Sequence, residues 1–216
     1  MRTGNNIRLR TDGRFEARYI KGRDLQGRAV YSYCYGKTSE EAARKRERAM
    51  RELTSVREMN LLILGAGSHG QEVRELAESL RVFRKIAFLD DESPEAIGPC
   101  ERLERYVGEY PVAIAAVGDQ ALRMRWMGDL AREGYVLPVL IHPSAVVSPS
   151  AEVGYGTVIC ARAVIGPGAK IGRGCIISRG AAVDRDAEIP EGTHILCGQA
   201  VAAGRKFDRE GVLLYG

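Results

Sequence analysis

Large rings are scarce in this sequence: its 216 residues include one Trp, four Phe and nine Tyr. Long apolar runs are missing too. No stretch approaches the roughly 18–20 uncharged residues of a membrane span, and the opening Met1-Arg2-Thr3-Gly4-Asn5-Asn6 has no signal-peptide core. Neither membrane insertion nor export is expected, and the sequence reads as cytoplasmic. Cysteine pairs are absent as well. Cys34, Cys100, Cys160, Cys175 and Cys197 are odd in number and form no C-x-x-C pair, so neither a disulfide framework nor a metal site is indicated. What remains is a globular composition, 45% hydrophobic and 28% charged with 25 Gly, long enough for two or three small domains.

Charge divides the chain. Through Glu58 there are 15 Lys/Arg against 8 Asp/Glu, whereas the remaining 158 residues hold 17 against 20. A basic module joined to a near-neutral body is the reading, with the join at Thr54–Met59. Met59 is also a possible alternative start.

The basic module, 1–55, reads as a small three-stranded sheet plus a helix. Ile7–Arg10 and Arg14–Ile20 flank the hairpin signal Asp12-Gly13, and a second turn over Gly22–Gly27 leads into Arg28–Tyr35. Alternation there puts Tyr31, Tyr33 and Tyr35 on one face, with Ser32 and Cys34 on the other. Thr38 with Glu41 forms a capping box opening a helix to about Leu53, whose stripe is Ala42, Ala49, Met50 and Leu53.

The second segment, 59–138, alternates strands with helices. Leu61–Leu64 is a buried-strand run, followed at once by Gly65-Ala66-Gly67-Ser68-His69-Gly70. Val73, Leu76, Ala77 and Leu80 then mark one helical face. Strands are expected at Ile86–Leu89, ending in Asp90-Asp91, and at Val112–Val117, ending in Gly118-Asp119; a helix over Ala121–Glu133 stops at Gly134. Alternation of this kind predicts a Rossmann-like parallel sheet with its ligand beyond the strand C-termini. The glycines let backbone approach an anion at a helix N-terminus, and Asp90 stands where a ribose-binding carboxylate would. Room exists for one mononucleotide-binding half, which favours a sugar nucleotide over NAD. A glycine turn serving only strand–helix packing is the plainer alternative.

The third segment, 139–216, carries the sharpest pattern. Ile141, Val147, Val153, Ile159, Ile165, Ile171, Ile177, Val183, Ile189, Ile195 and Val201 recur at every sixth place, mostly followed four residues later by a small side chain. Neither helix nor flat strand has that period. It is the hexapeptide repeat of a parallel β-helix, here between three and four triangular coils, ending after about Ala203 with a closing turn and strand. So short a prism needs neighbours on its flat sides, and a homotrimer is expected. The fold class is therefore mixed.

Two resemblances follow from these residues. Arg10-Thr11-Asp12-Gly13-Arg14-Phe15-Glu16-Ala17-Arg18 and Tyr35-Gly36-Lys37-Thr38, with Glu41-Ala42, resemble the arm-DNA-binding domain of phage-type tyrosine integrases. That likeness implies a sheet placed in a DNA major groove, with Arg8, Arg10, Arg14, Arg18 and Arg28 touching double-stranded DNA. The alternative is that these arginines simply solvate the sheet. From Met59 to Ala203, the glycine loop, Phe88-Leu89-Asp90-Asp91, Val117-Gly118-Asp119, Ile141-His142-Pro143-Ser144-Ala145 and the hexapeptides resemble bacterial sugar O/N-acyltransferases of the sialic-acid O-acetyltransferase type, which include UDP-amino-sugar acetyltransferases. The resemblance implies a trimeric left-handed β-helix with acetyl-CoA between prisms and an acyl group passed to a nucleotide-linked sugar. It further implies that Gly67, Ser68, His69, Gly70, Asp90 and Asp91 line the nucleotide site and that Gly118 and Asp119 flank the sugar. His69 is equally readable as a helix-start residue with no ligand.

Two departures stand out. The family's base histidine sits in a stretch such as Val-Asp-His-Asp, which here reads Val183-Asp184-Arg185-Asp186; the second histidine, nine residues on, is present as His194. Arg185 stays protonated and cannot accept the acceptor's proton. The family's later coils are also missing. Three explanations stay open: His194 serves as base with Asp184 or Asp186 of a neighbouring subunit; Arg185 stabilises an oxyanion for an acceptor needing no base; or the site is inactive, leaving a nucleotide-sugar-binding scaffold tethered to DNA.

Overall fold

The computed structural model describes residues 7–23, 29–56 and 59–207, and the chain divides into two compact units, Met1–Glu58 and Met59–Gly216.

In the first unit β1 (Ile7–Leu9), β2 (Phe15–Arg23) and β3 (Ala29–Gly36) form an antiparallel sheet in that order, followed by α1 (Ser39–Val56). Asp12 closes the first hairpin by accepting the Arg14 N–H, while Gly13 takes the left-handed conformation at φ 79°. Thr38 Oγ1 accepts the Glu41 N–H at 3.1 Å; the Glu41 carboxylate reaches back one residue further than a standard capping box, to the Lys37 N–H. A minimal core of Ile7, Ala17 and Ala42, with Phe15 and Ala43 against it, joins sheet to helix. The expected helical stripe is corrected here: Met50 is 47% exposed. The inner face supplied by Ile7, Phe15 and Ala17 is covered by the helix's first turns, where Ala42 and Ala43 pack. Leu53's side chain lies outside the described ones, as does most of the Gly22–Gly27 turn.

The second unit begins with a three-stranded parallel sheet, order β5-β4-β6, built from β4 (Met59–Leu64), β5 (Phe83–Leu89) and β6 (Val112–Ala115). Leu61–Leu64 is fully buried in the central strand, and its alternation feeds two cores. Leu61 and Ile63 meet Val73, Leu76 and Ala77 of α2 (Ser68–Leu80); Leu62 and Leu64 meet Leu130 and Trp126 of α3 (Gln120–Arg132). β6 stops at Ala115, two residues short of the expected Val117, because the chain turns away there to begin α3.

After Pro138 the hexapeptides build a column of eleven two-residue parallel strands among the described residues, the architecture of a parallel β-helix. Each strand pairs with the one 18 residues later, so three sixes make one coil with three faces. The every-sixth residues stack inward: from Ile159 to Val201 each is at most 4% exposed, with Ala163, Ala169, Cys175, Ala181 and Ala187 filling the corners. One sequence expectation is corrected. The six-residue register does not end near Ala203, since the next position is Phe207, buried under the last coil, with Lys206 bridged to Glu188. At that position an aromatic ring joins the column's core in place of a branched aliphatic. Residues beyond Phe207, where the closing strand was expected, lie outside the described residues.

The outward residues give each face a different chemistry. Leu140 and Val158 of the first face are buried in one core with Leu61 and Val73 of the α/β part, and Ile176 of the same face is buried too. The third face presents Glu152, Lys170 and Glu188. The second presents Val146, Val164, Ala182 and Ala200, with Val146 63% and Val164 45% exposed.

Candidate active site

The glycine loop joins β4 to α2 in three distinct ways. Gly65 takes φ 95°, left-handed backbone that favours glycine. Gly70 packs the helix start on the loop: a Cβ there would lie inside contact distance of the Gly65 carbonyl, 2.9 Å from its carbon. Gly67 is the helix N-cap residue, and a Cβ there would meet nothing within 4 Å. Of the three, Gly67 is therefore the one that leaves backbone open to a ligand.

The candidate carboxylates have local tasks. Asp90 accepts the Ala66 N–H at 2.8 Å and those of Glu92 and Ser93, and these bonds hold it below the ordinary carboxylate range. Asp91 accepts the Cys100 N–H at 2.9 Å. The pair thus pins the glycine loop to the segment after β5. Asp119 caps α3 by accepting the Leu122 N–H at 2.7 Å, and Gly118, with no neighbour near its Cα hydrogens, precedes it.

Next to the loop, the first face delivers its one polar outward residue, His194. Its ring centroid lies 6.5 Å from that of His69 in the first turn of α2. Ser178 Oγ is 2.8 Å from His194 Nε2, and Glu72 lies 3.5 Å from His69 Nδ1. Glu72 also pairs with Arg179 at 3.0 Å. Burial lowers both histidines from their ordinary value, and each is lowered further by the Arg123 guanidinium; His194 also feels His69, while Glu72 opposes the shift. The neutral form of both rings is therefore favoured. Among the described residues, the buried His69 Nε2 has no hydrogen-bond partner. Burial pushes the thiols of Cys160 and Cys175 up to about 12 and about 11, so neither is a nucleophile near neutrality.

Sequence reasoning brought His69 and His194 forward separately, and the fold brings them together. It missed Glu72, Arg123, Ser178 and Arg179, which no local motif marks. Arg185 and Asp186 sit elsewhere, in the exposed turn between the second and third faces. Asp186 there adopts φ 56° where the neighbouring coils have Gly168 and Gly204. Asp184 accepts the Arg185 backbone N–H, and among the described residues the Arg185 guanidinium forms no salt bridge.

In the first unit the open face of the sheet carries Tyr31, Tyr33 and Tyr35, each 38–45% exposed, opposite Ile20, Arg18 and Glu16. Glu16 is buried there and holds Arg8 and Arg10, both at 2.8 Å. Arg14 pairs with Asp12, and Arg18 stacks 4.5 Å over the Tyr31 ring. Arg28 lies outside the described residues. No helix is long and apolar enough to cross a membrane, and the described residues contain no cluster of metal-binding side chains.

In the second unit a glycine-loop α/β part is docked on a hexapeptide column, with a histidine pair at their junction. Residues 60–130 match the family model described as the PglD N-terminal domain. The chain is 35% identical over 115 residues to UDP-N-acetylbacillosamine N-acetyltransferase of Bacillus subtilis (strain 168), a match covering 47% of this chain and 51% of that protein. It thus spans about half the length of that curated relative. Among solved structures, the acetyltransferase domain of PglB from Neisseria gonorrhoeae FA1090, in complex with acetyl coenzyme A, is 35% identical with a TM-score of 0.67, covering 69% of this chain and 76% of that one. PerB from Caulobacter crescentus, in complex with CoA and GDP-perosamine, is 29% identical with a TM-score of 0.63, covering 68% and 73%. Through its residues from Met59 onward, the chain belongs to the acetyltransferase family that the PglB domain represents.

Proposed function

We propose that the second unit transfers an acetyl group from acetyl-CoA to an amine on a nucleotide-linked sugar, with His194 as the base. The observation that carries this reading is the His69–His194 pair, two imidazoles 6.5 Å apart where the glycine loop meets the coil. The α/β part acts as the Rossmann-like nucleotide half, with Gly67, Ser68, His69 and Gly70 around the phosphates and sugar, Asp90 and Asp91 bracing that loop, and Gly118 and Asp119 beside the sugar. The acceptor amine attacks the thioester carbonyl, His194 takes the proton shed as the tetrahedral intermediate forms, and CoA leaves as its thiol once that proton is returned. Arg185, a fixed cation, replaces the family's base histidine and is assigned to the developing oxyanion, with Asp186 orienting it across the subunit boundary.

The coils wind left-handed and assemble as a homotrimer through the second face. Of the three outward rows, one is covered within the chain and one is charged, which leaves Val146, Val164, Ala182 and Ala200 as the apolar surface for a second copy. The test is acceptor-dependent CoA release with UDP- and GDP-linked amino-sugars. Release with an amino-sugar but not with its hydroxyl analogue supports the reading; no release with any of them, together with no acetyl-CoA binding by calorimetry, ends it.

A second reading concerns the first unit, whose open face of Arg8, Arg10, Arg14 and Arg18 among exposed tyrosines supports docking on double-stranded DNA. Arg28 joins this set by the integrase likeness. Three copies on a trimer would convert weak contacts into avidity. The full chain should then lose DNA affinity steeply with salt, about one log unit per log of salt for each phosphate engaged. No retardation of duplex DNA at low salt contradicts it.

A further inference from the structure

Arg123, in the first turns of α3, is 1% exposed, and among the described residues no carboxylate lies within salt-bridge range of it. Its guanidinium is satisfied by backbone carbonyls alone. Nη1 donates to Val117 and Gly118, at 2.7 and 2.9 Å, with Asp119 at 3.4 Å; Nε donates to Gly174 at 2.9 Å and Nη2 to Gly192 at 2.5 Å. The first three acceptors belong to the segment leading into α3, the last two to turns of successive coils, and Gly192 lies two residues before His194. A buried cation is costly and persists only where its surroundings hold it well bonded; here the Asp119 carboxylate also favours the charge, without a direct ion pair.

We propose that Arg123 is the positioning residue of this site, a single guanidinium that locks the Val117–Asp119 segment to the coil bearing His194 and sets a positive charge beside the histidine pair. The planar fork is what allows one side chain to reach five carbonyls in two segments, a geometry a lysine cannot reproduce. The charged and titratable groups around the pair are Glu72 on α2, itself held by Arg179, Arg123 on α3, and each histidine facing the other. Arg123 is the cation that favours the neutral form of both rings at once. Its effect on turnover rests on the acetyl-transfer reading, but its effect on the rings and on the loop does not.

The test uses Arg123→Met and Arg123→Lys in the full chain, read without substrate by NMR titration of the imidazoles and by amide exchange. The sequence has three histidines, so His142, which is hydrogen-bonded to Ser144 on the exposed surface, is an internal control. In Arg123→Met the midpoints of His69 and His194 should rise by about half a pH unit or more, because a nearby cation has gone, while His142 stays put. In Arg123→Lys the charge remains and the midpoints should stay low, while amides in the Gly118–Gln120 segment exchange at least tenfold faster. Unchanged His69 and His194 midpoints in a folded Arg123→Met protein overturn the electrostatic part, as does an equal movement of His142. Unchanged exchange in Arg123→Lys overturns the positioning part, and that variant decides the matter if Arg123→Met fails to fold. Absence of acetyl transfer in the unaltered protein would leave all of these readouts intact and count against the catalytic reading alone.

Discussion

Gly67 and Gly70 sit three residues apart in one loop, and alanine at each should fail in opposite ways. At Gly70 the new methyl would lie 2.9 Å from the Gly65 carbonyl carbon and nearer still to its oxygen, both backbone atoms that cannot swing aside. The start of α2 must therefore move by roughly 1 Å, and overpacking of this kind costs about 1–3 kcal/mol. In a unit of this size that lowers the melting temperature by roughly 3–10 °C. At Gly67 a methyl meets nothing within 4 Å, so the cost is a poorer helix cap, below about 1 kcal/mol. The same methyl would, however, occupy the space through which a phosphate approaches the helix N-terminus. Urea unfolding followed by the fluorescence of Trp126, the sole tryptophan, measures the first effect at matched protein concentration. Calorimetric titration with UDP and GDP measures the second, where Gly67→Ala should weaken binding at least tenfold. Equal destabilisation by both variants, or a Gly67→Ala protein that binds nucleotide as before, refutes this division of labour.

Three further outcomes are expected. Because His69 and His194 are lowered below 6.5, kcat/KM should be flat through neutral pH and fall only in the acid limb; the unfolded state binds more protons there, so stability also declines as pH drops through that window, measurable as the urea midpoint at pH 7 and pH 5. Phe207→Ala should uncap the coils and lower stability by about 3–5 kcal/mol in denaturant titration, the cost of deleting a buried ring. If copies associate through the second face as proposed, Val164→Asp should shift sedimentation toward the monomer while leaving the far-ultraviolet spectrum intact, since Val164 is exposed; an unchanged sedimentation coefficient would count against that interface.

Most of the column was legible because its period is set by side chains that must fit one repeating interior, a local rule written eleven times. The parallel sheet and glycine loop were legible for a similar reason, since Leu61–Leu64 and the glycines are contiguous. Strand and helix ends were less so: β6 stops where the chain peels away to begin α3, a tertiary decision. Phe207 kept the six-residue register but broke its residue type, and so escaped notice. At the site, His69 and His194 could be named individually, but 125 residues separate them and only the docking of α2 on the first face makes them neighbours. Arg123 was invisible altogether, because its partners are carbonyls and carry no side-chain signature.

The base assignment meets its hardest test in turnover of the unaltered protein beside His194→Ala and Arg185→His, with acetyl-CoA and a nucleotide-linked amino-sugar saturating. If His194 removes the proton, the unaltered protein releases CoA, His194→Ala loses about 100-fold or more, and Arg185→His is not required for activity. Equal rates in the unaltered protein and His194→Ala, or release that appears only once Arg185→His is made, would contradict it.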